Sequence, residues 1–245
     1  MIYVATKCGA SHSASEDTAL VGTEIFVNTN AVVPFPELGF ICVADGVGGN
    51  CGGAKASNYI CSALAEAEGL HPDMLQDYLY EENETLIQLS KTASEYSNMA
   101  TTLSGVYVLE DEMVLLHVGN SRVYAKQGRY LKQLTSDHTT YNWLMSSGNT
   151  EAAKTCNKSE ITNCFGGGTS SLISKLSVTK CRGFASLLLT SDGVHDYVDI
   201  DQLERILNNE TTGKEKCDQI LEVALAAGSK DDMTVILACR DREGM

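Results

Sequence analysis

The chain has 245 residues, 43% hydrophobic and 20% charged, enough for a sizeable core in one substantial domain and with no low-complexity or disordered stretch. Eighteen Lys and Arg against 32 Asp and Glu give a formal net charge of −14, which disfavours nucleic acid and anionic lipid as partners but admits cations, or a phosphorylated ligand whose charge a cation offsets. No apolar run approaches the ~18 residues of a membrane span, and the start MIYVATKCG lacks a basic segment followed by a long apolar one.

Strand-like runs rich in Val, Ile, Leu and aromatic residues recur at Ile2–Thr6, Phe40–Ala44, Leu103–Leu109, Met113–Val118, Arg122–Lys126, Ser186–Thr190 and Thr234–Ala238. Gly128, between the third-last of these and the segment RYLKQL, reads as a hairpin turn. Helical patterns fall between the strands. Gly53–Glu68 places Ala56, Ile60, Ala63, Leu64 and Ala67 on one face. Pro72–Met99 carries long helix-forming stretches, and Asp199–Leu207 and Lys214–Ala227 read as two further helices, with Gly228 as a stop. Hairpin-linked strands with helices between them point to a sheet sandwich with helices packed outside, rather than to a doubly wound parallel sheet. The nine cysteines form no CxxC pair or zinc spacing and mostly sit among apolar neighbours, which predicts reduced thiols and a cytoplasmic protein.

Four acidic positions share one local setting. Glu16-Asp17 precedes the run Thr18–Val21, Asp45 ends GFICVAD, Asp192 ends ASLLLTSD, and Asp231-Asp232 leads into Met233–Ala238. A carboxylate at the end of a buried strand is poorly solvated and needs a partner. Lys and Arg are scarce nearby, so a divalent cation is a natural one, and oxygen donors of this kind suit Mg2+ or Mn2+. Any single Asp-Gly pair also reads as a plain turn; it is the set of four that argues for chemistry. The cluster DGVGGNCGG lacks the ending of a P-loop and the pattern of a dinucleotide site. It is either a close backbone approach beside a metal, with the Gly46 carbonyl as a ligand, or a flexible turn opening the next helix.

In order, SASED, VADGVGG, TTLSGV, HVGNSRVY, LTSDHT, LLTSDGVHDYV and KDDMTVIL resemble the motifs of the metal-dependent serine/threonine protein phosphatases of type 2C, from about residue 3 to residue 239. The resemblance implies an α+β fold: a central β-sandwich of two antiparallel sheets flanked by pairs of antiparallel helices, in α/β/β/α layers, as one catalytic domain over 1–245. It implies two Mn2+ or Mg2+ ions held by Asp17, Asp45, the Gly46 carbonyl, Asp192 and Asp231, and a third, weaker ion at Asp137. It also implies that a hydroxide bridging the ions attacks phosphorus in line without a phosphoenzyme, on phosphorylated protein substrates. Glu16 and Asp232 become supporting residues, and 146–174 becomes a flap beside the site.

The chain departs from the family pattern at several points. His12 stands where many relatives carry a phosphate-gripping arginine; it is either a weaker, pH-dependent substitute or a loop histidine. Lys7 is a further phosphate-binding candidate. Val47 follows the first Asp-Gly where eukaryotic relatives often have a histidine, and His138 and His195 are the remaining histidines near the aspartates. Asp232 replaces an asparagine. Asn120 replaces the aspartate of the usual GDSR and reads as a structural turn. These departures keep open a second class of reading, a catalytically weak or inactive phosphatase-like binding or regulatory protein. A metal-stabilised regulatory domain and a phosphatase of small metabolites are further alternatives.

Overall fold

In the computed structural model, which describes residues 1–47, 51–67, 69–92, 96, 99–110 and 112–240, the strand-like runs assemble into two sheets. One contains β1 (Ile2–Lys7), β4 (Asn30–Val33), β9 (Arg122–Gln127), β10 (Tyr130–Gln133), β13 (Ser186–Thr190) and β14 (Met233–Cys239), in the order β10-β9-β13-β14-β1-β4. The other contains β2 (Asp17–Gly22), β3 (Glu24–Phe26), β5 (Gly39–Val47), β6 (Ala100–Thr101), β7 (Leu103–Val108), β8 (Met113–Val118), β11 (Phe165–Gly166) and β12 (Ser177–Cys181). Its main order is β3-β2-β5-β7-β8-β12, and β6 pairs the far end of β5 while carrying β11. Neighbours run antiparallel in both sheets.

Period-two alternation sorts the strand side chains into layers. Ile2 and Val4 of β1, Leu187 and Leu189 of β13, and Ile236 and Ala238 of β14 face Ala19, Val21, Ile41, Val43, Val106 and Val108 across the gap between the sheets. The intervening Ala5, Leu188, Val235 and Leu237 point outward and pack with Leu203, Ile206, Ile220 and Ala224. Those belong to α6 (Ile200–Leu207) and α7 (Gly213–Ala226). On the other side, Leu20, Phe40, Cys42 and Tyr107 pack with Ile60, Leu64, Leu79 and Leu86. Those belong to α1 (Cys51–Glu66) and α2 (Leu75–Leu89). Because both faces of these strands are covered, their sequences read as continuous apolar runs. The result is the expected sandwich of two antiparallel sheets between helical layers.

Helix ends follow their capping chemistry. Asp199 accepts from Gln202 N at 2.8 Å and Gln202 returns a bond to Asp199 N, so α6 starts one residue later than the sequence suggests. Thr212 and Glu215 form the same reciprocal box at the start of α7. Gly228, at φ +98°, closes that helix as expected. The helical reading of Pro72–Met99 holds only to Leu89. There the Ser90 and Thr92 hydroxyls turn back onto the Ile87 and Leu89 carbonyls and compete with continued helix. Residues 93–95 and 97–98 of that span, and Glu68 at the expected end of α1, lie outside the described residues.

Among the described residues, no helix is long and apolar enough to cross a membrane.

The segment 146–174 divides in two. From 146 to 162 it is mostly exposed and includes α4, the fourth helix (Thr150–Ala153), after α3 (Thr140–Ser146). From 163 onward it is anchored. Phe165 and Ile173 are fully buried, and Gly166 N donates to Asn83 Oδ1 at 2.8 Å. The segment expected as a flap is therefore exposed in its first half and held by buried apolar side chains in its second.

Candidate metal centre

Sheet register brings the first two aspartates together. Asp17 opens β2 and Asp45 lies near the end of β5, directly opposite one another in the ladder. The other sheet supplies Asp192, which opens the short α5 (Asp192–His195) at the end of β13, and Asp231, just before β14. Ser191 stitches the halves: its Oγ donates to Asp17 Oδ2 at 2.7 Å and accepts from Thr234 N at 2.9 Å. Asp45 and Asp192 approach one another across the gap, and the charge of Asp192 raises the proton affinity of Asp45.

Glycines allow this approach. A Cβ on Gly46 would run into the Gly53 backbone at the start of α1, and a Cβ on Gly53 would come 2.9 Å from the Glu16 carboxyl. Gly46 N donates to Glu16 O at 3.0 Å. The close-approach reading of the glycine cluster thus applies at Gly46 and Gly53. Gly48, Gly49 and Asn50 lie outside the described residues.

The electrostatics are unfavourable for bare carboxylates. Among the described residues, no Lys or Arg forms a salt bridge with Asp17, Asp45 or Asp192. Burial pushes Asp17 up to about 8, against the hydrogen bond from Ser191 that lowers it. Burial also lifts Asp45 well above the ordinary carboxylate range, helped by the charges of Asp192, Asp17 and Asp231. Asp192 rises to about 6 through burial and Asp231, while Asn120 opposes the rise. Asp17 Oδ1 is buried with no hydrogen-bond partner. Clustered acidic oxygens, one of them orphaned, without basic neighbours, are a donor set fitted to a hard divalent cation.

Asp231 and Asp232 divide their work. The Asp231 side chain is exposed, with Oδ1 accepting from Asp232 N at 2.9 Å. Asp232 is buried and accepts from Gly9 N at 2.8 Å, Glu16 N at 2.6 Å and His12 Nδ1 at 2.8 Å. His12 Nδ1 and carboxylate oxygens of Asp231 and Asp232 lie within 4.8 Å of one another. Burial alone would lower the His12 pKa, but the hydrogen bond and charge of Asp232 outweigh it, so His12 is raised. His12 is therefore tied into the site.

Asp137 is committed elsewhere. Arg122 Nε contacts both its oxygens at 3.0 Å, Arg122 Nη2 reaches Oδ2 at 2.6 Å, and Gln133 Nε2 donates to Oδ1 at 3.0 Å. A cation at Asp137 would have to displace this guanidinium fork. His138 and His195 are held neutral. Burial, with the charges of His117 and Lys175, lowers His138 to about 4, and burial with Arg122 pushes His195 well below its ordinary range.

Sequence reasoning did not single out Ser191, Thr102 or Ser121. Thr102 Oγ1 accepts from Asp45 N at 3.1 Å and meets Ser121 Oγ at 2.9 Å. Asn120, expected to be a turn residue, also donates Nδ2 to Asp192 Oδ2 at 2.8 Å.

The family model described as Protein phosphatase 2C matches residues 32–238. The chain is 29% identical over 214 residues to the serine/threonine phosphatase stp of Listeria monocytogenes serotype 4b (strain F2365), covering 82% of this chain and 84% of the relative. It is 28% identical over 214 residues to protein phosphatase PhpP of Streptococcus pneumoniae serotype 2 (strain D39 / NCTC 7466), covering 83% and 86%. Its fold matches the crystal structure of serine/threonine phosphatase Stp1 from Staphylococcus aureus with a TM-score of 0.78 and 28% identity, over 99% of this chain and 95% of that one. The Mycobacterium tuberculosis serine/threonine phosphatase PstP/Ppp gives a TM-score of 0.80 at 23% identity, over 98% and 99%, a likeness of fold.

Proposed function

The chain belongs to the protein phosphatase 2C family and is a protein serine/threonine phosphatase, and we propose that it hydrolyses phosphoserine and phosphothreonine in proteins at a divalent-cation centre held by Asp17, Asp45, Asp192, Asp231 and the Gly46 carbonyl. One observation carries the reading: aspartates from both sheets meet at one end of the sandwich without a Lys or Arg partner among the described residues. Two Mn2+ or Mg2+ ions bound there would offset phosphoryl charge and activate water for in-line attack. Because Arg122 and Gln133 already satisfy Asp137, the proposal keeps two cations and gives Asp137 the task of anchoring Arg122.

The chain's own residues do the positioning. Ser191 holds one Asp17 oxygen and leaves the other exposed to the centre. Thr101 and Thr102 fix the Asp45 backbone, donating to its carbonyl and accepting from its N–H. Glu16, packed over Gly53, and Asp232, bonded to the backbone on either side of the His12 loop, hold that loop against the aspartates. His12 is the residue proposed to meet the substrate phosphate. Its Nδ1–H is taken by Asp232, so Nε2 is the atom left for the ligand.

Hydrolysis of p-nitrophenyl phosphate and a phosphothreonine peptide tests the proposal, with wild type, Asp45→Asn and Asp192→Asn, each in EDTA or Mn2+. Mn2+-dependent turnover that collapses in both variants is the expected result. A folded, Mn2+-loaded wild type with no turnover would sink it in favour of a phosphatase-like binding protein.

A further inference from the structure

Asn120 sits in the turn between β8 and β9, beside the end of β13, and its placement is tightly determined. Gly119, at φ +108°, precedes it, and a Cβ there would strike the Thr102 side chain. Ser121 follows, with Oγ 2.9 Å from Thr102 Oγ1 and its carbonyl accepting from Ser104 Oγ at 2.6 Å. Arg122 next in the chain is locked on Asp137. The turn is thus pinned against Thr102 and Ser104, and Thr102 in turn bonds both the N–H and the C=O of Asp45. From this fixed base the Asn120 side chain, only 2% exposed, reaches past the end of the β9–β13 ladder and donates Nδ2 to Asp192 Oδ2 at 2.8 Å. An amide can turn only its NH2 toward a carboxylate, so the orientation is settled by chemistry. Its Oδ1, on the same carbon, is buried and without a hydrogen-bond partner.

We infer that Asn120 is a positioning residue of the cation centre: it holds Oδ2 of Asp192, leaves Oδ1 of Asp192 to coordinate, and offers its own buried Oδ1 to a hydrating water of the cation. The inference rests on the two-cation reading above. A turn would be served by many polar residues. A buried side chain aimed at one oxygen of a proposed ligand, with its second polar atom still unsatisfied, serves the ligand. An aspartate at this position would set a second carboxylate 2.8 Å from Asp192; the amide supplies a donor there instead.

The test is Mn2+ binding, by calorimetry and by the Mn2+ paramagnetic resonance signal, to the full chain carrying Asn120→Ala, Asp192→Asn, or both. Asn120→Ala is expected to weaken Mn2+ binding about 10–100-fold in the wild-type background and to cost almost nothing further in the Asp192→Asn background, because it acts through that carboxylate. Equal affinity of wild type and Asn120→Ala would overturn the inference, as would equal losses in both backgrounds, the mark of general structural damage. Should Asn120→Ala fail to fold, Asn120→Leu fills the same space without hydrogen-bonding groups and is read by the same criteria. Wild type that binds no Mn2+ would instead overturn the cation reading on which the inference stands.

Discussion

Asp45 is the residue at which stability and the proposed activity conflict most. Burial and three neighbouring carboxylates raise its proton affinity, so without a cation its charged form is a burden on the fold. Asp45→Asn keeps the shape and removes the charge. In EDTA the variant is expected to melt at or above the wild-type temperature, while its Mn2+-dependent turnover falls by at least about 100-fold, since a catalytic cation supplies several kcal/mol of transition-state stabilisation. Parallel melting curves and turnover assays decide it; loss of both together would mean Asp45 is simply structural. His195 gives the pH dependence. Its ring is buried, with Nδ1 2.8 Å from Thr190 Oγ1, and its folded pKa lies well below the ordinary 6.5. Below pH 6.5 the unfolded chain takes up a proton that the folded chain refuses. The neutral histidine's contribution is thus complete above pH 6.5 and lost as pH falls below it, by up to about 1.4 kcal/mol per pH unit. His195→Gln is expected to flatten that acid limb in urea unfolding measured between pH 7 and 5. The four aspartates were legible because each sits beside an apolar run. Ser191 was not: its partner Asp17 lies 174 positions away, and a lone serine at a strand end carries no local signal.

At the scale of elements, the position of α1 against β5 depends on two glycines. A methyl group at Gly46 would have to displace the Gly53 backbone, and no flexible side chain is there to yield. The helix would move off the strand and Glu16 with it. Gly69, by contrast, has φ +77° but open space around its Cβ position, so Gly69→Ala strains only the backbone. Gly46→Ala is expected to cost several kcal/mol and to abolish Mn2+ binding, whereas Gly69→Ala costs about 1 kcal/mol and leaves binding intact. Chemical denaturation and Mn2+ titration of the pair would reveal whether close approach, rather than turn geometry, governs the first site. Legibility of elements tracks how local their cause is. The long central strands show as apolar runs, whereas the short or half-exposed β3, β4 and β12 do not, and the capping pairs Asp199–Gln202 and Thr212–Glu215 were read only as helix starts near Asp199 and Lys214. The short β6 and β11 show nothing, because Ala100–Thr101 and Phe165–Gly166 pair only through contacts made by the assembled fold. The helix overrun past Leu89 arose because Ser and Thr count as tolerable helix residues until their hydroxyls find the carbonyls behind them.

For the whole molecule, the proposed centre is a clasp between two sheets. Asp17 and Asp45 come from one sheet, and Asp192 and Asp231 from the ends of strands in the other. Among the described residues, polar ties at this end include Ser191 to Asp17 and Asp232 to the His12 loop. Without a cation, Asp17, Asp45 and Asp192 set their charges against one another, on a chain that already carries a net charge of −14. A cation that binds the folded arrangement and not the unfolded chain must therefore stabilise the entire sandwich. At 100 times its dissociation constant the gain is about 2.7 kcal/mol, and for a chain of this size each kcal/mol moves the melting temperature by roughly 2–4 °C. Saturating Mn2+ is thus expected to raise the melting temperature by about 5–10 °C over the EDTA-treated protein, with a smaller rise in Asp192→Asn, which removes one side of the clasp. Thermal melts across a Mn2+ series measure this without any substrate. A wild-type melting temperature indifferent to Mn2+ would leave the four aspartates as an acidic cluster that the fold merely tolerates, and the cation-based mechanism would have no physical support.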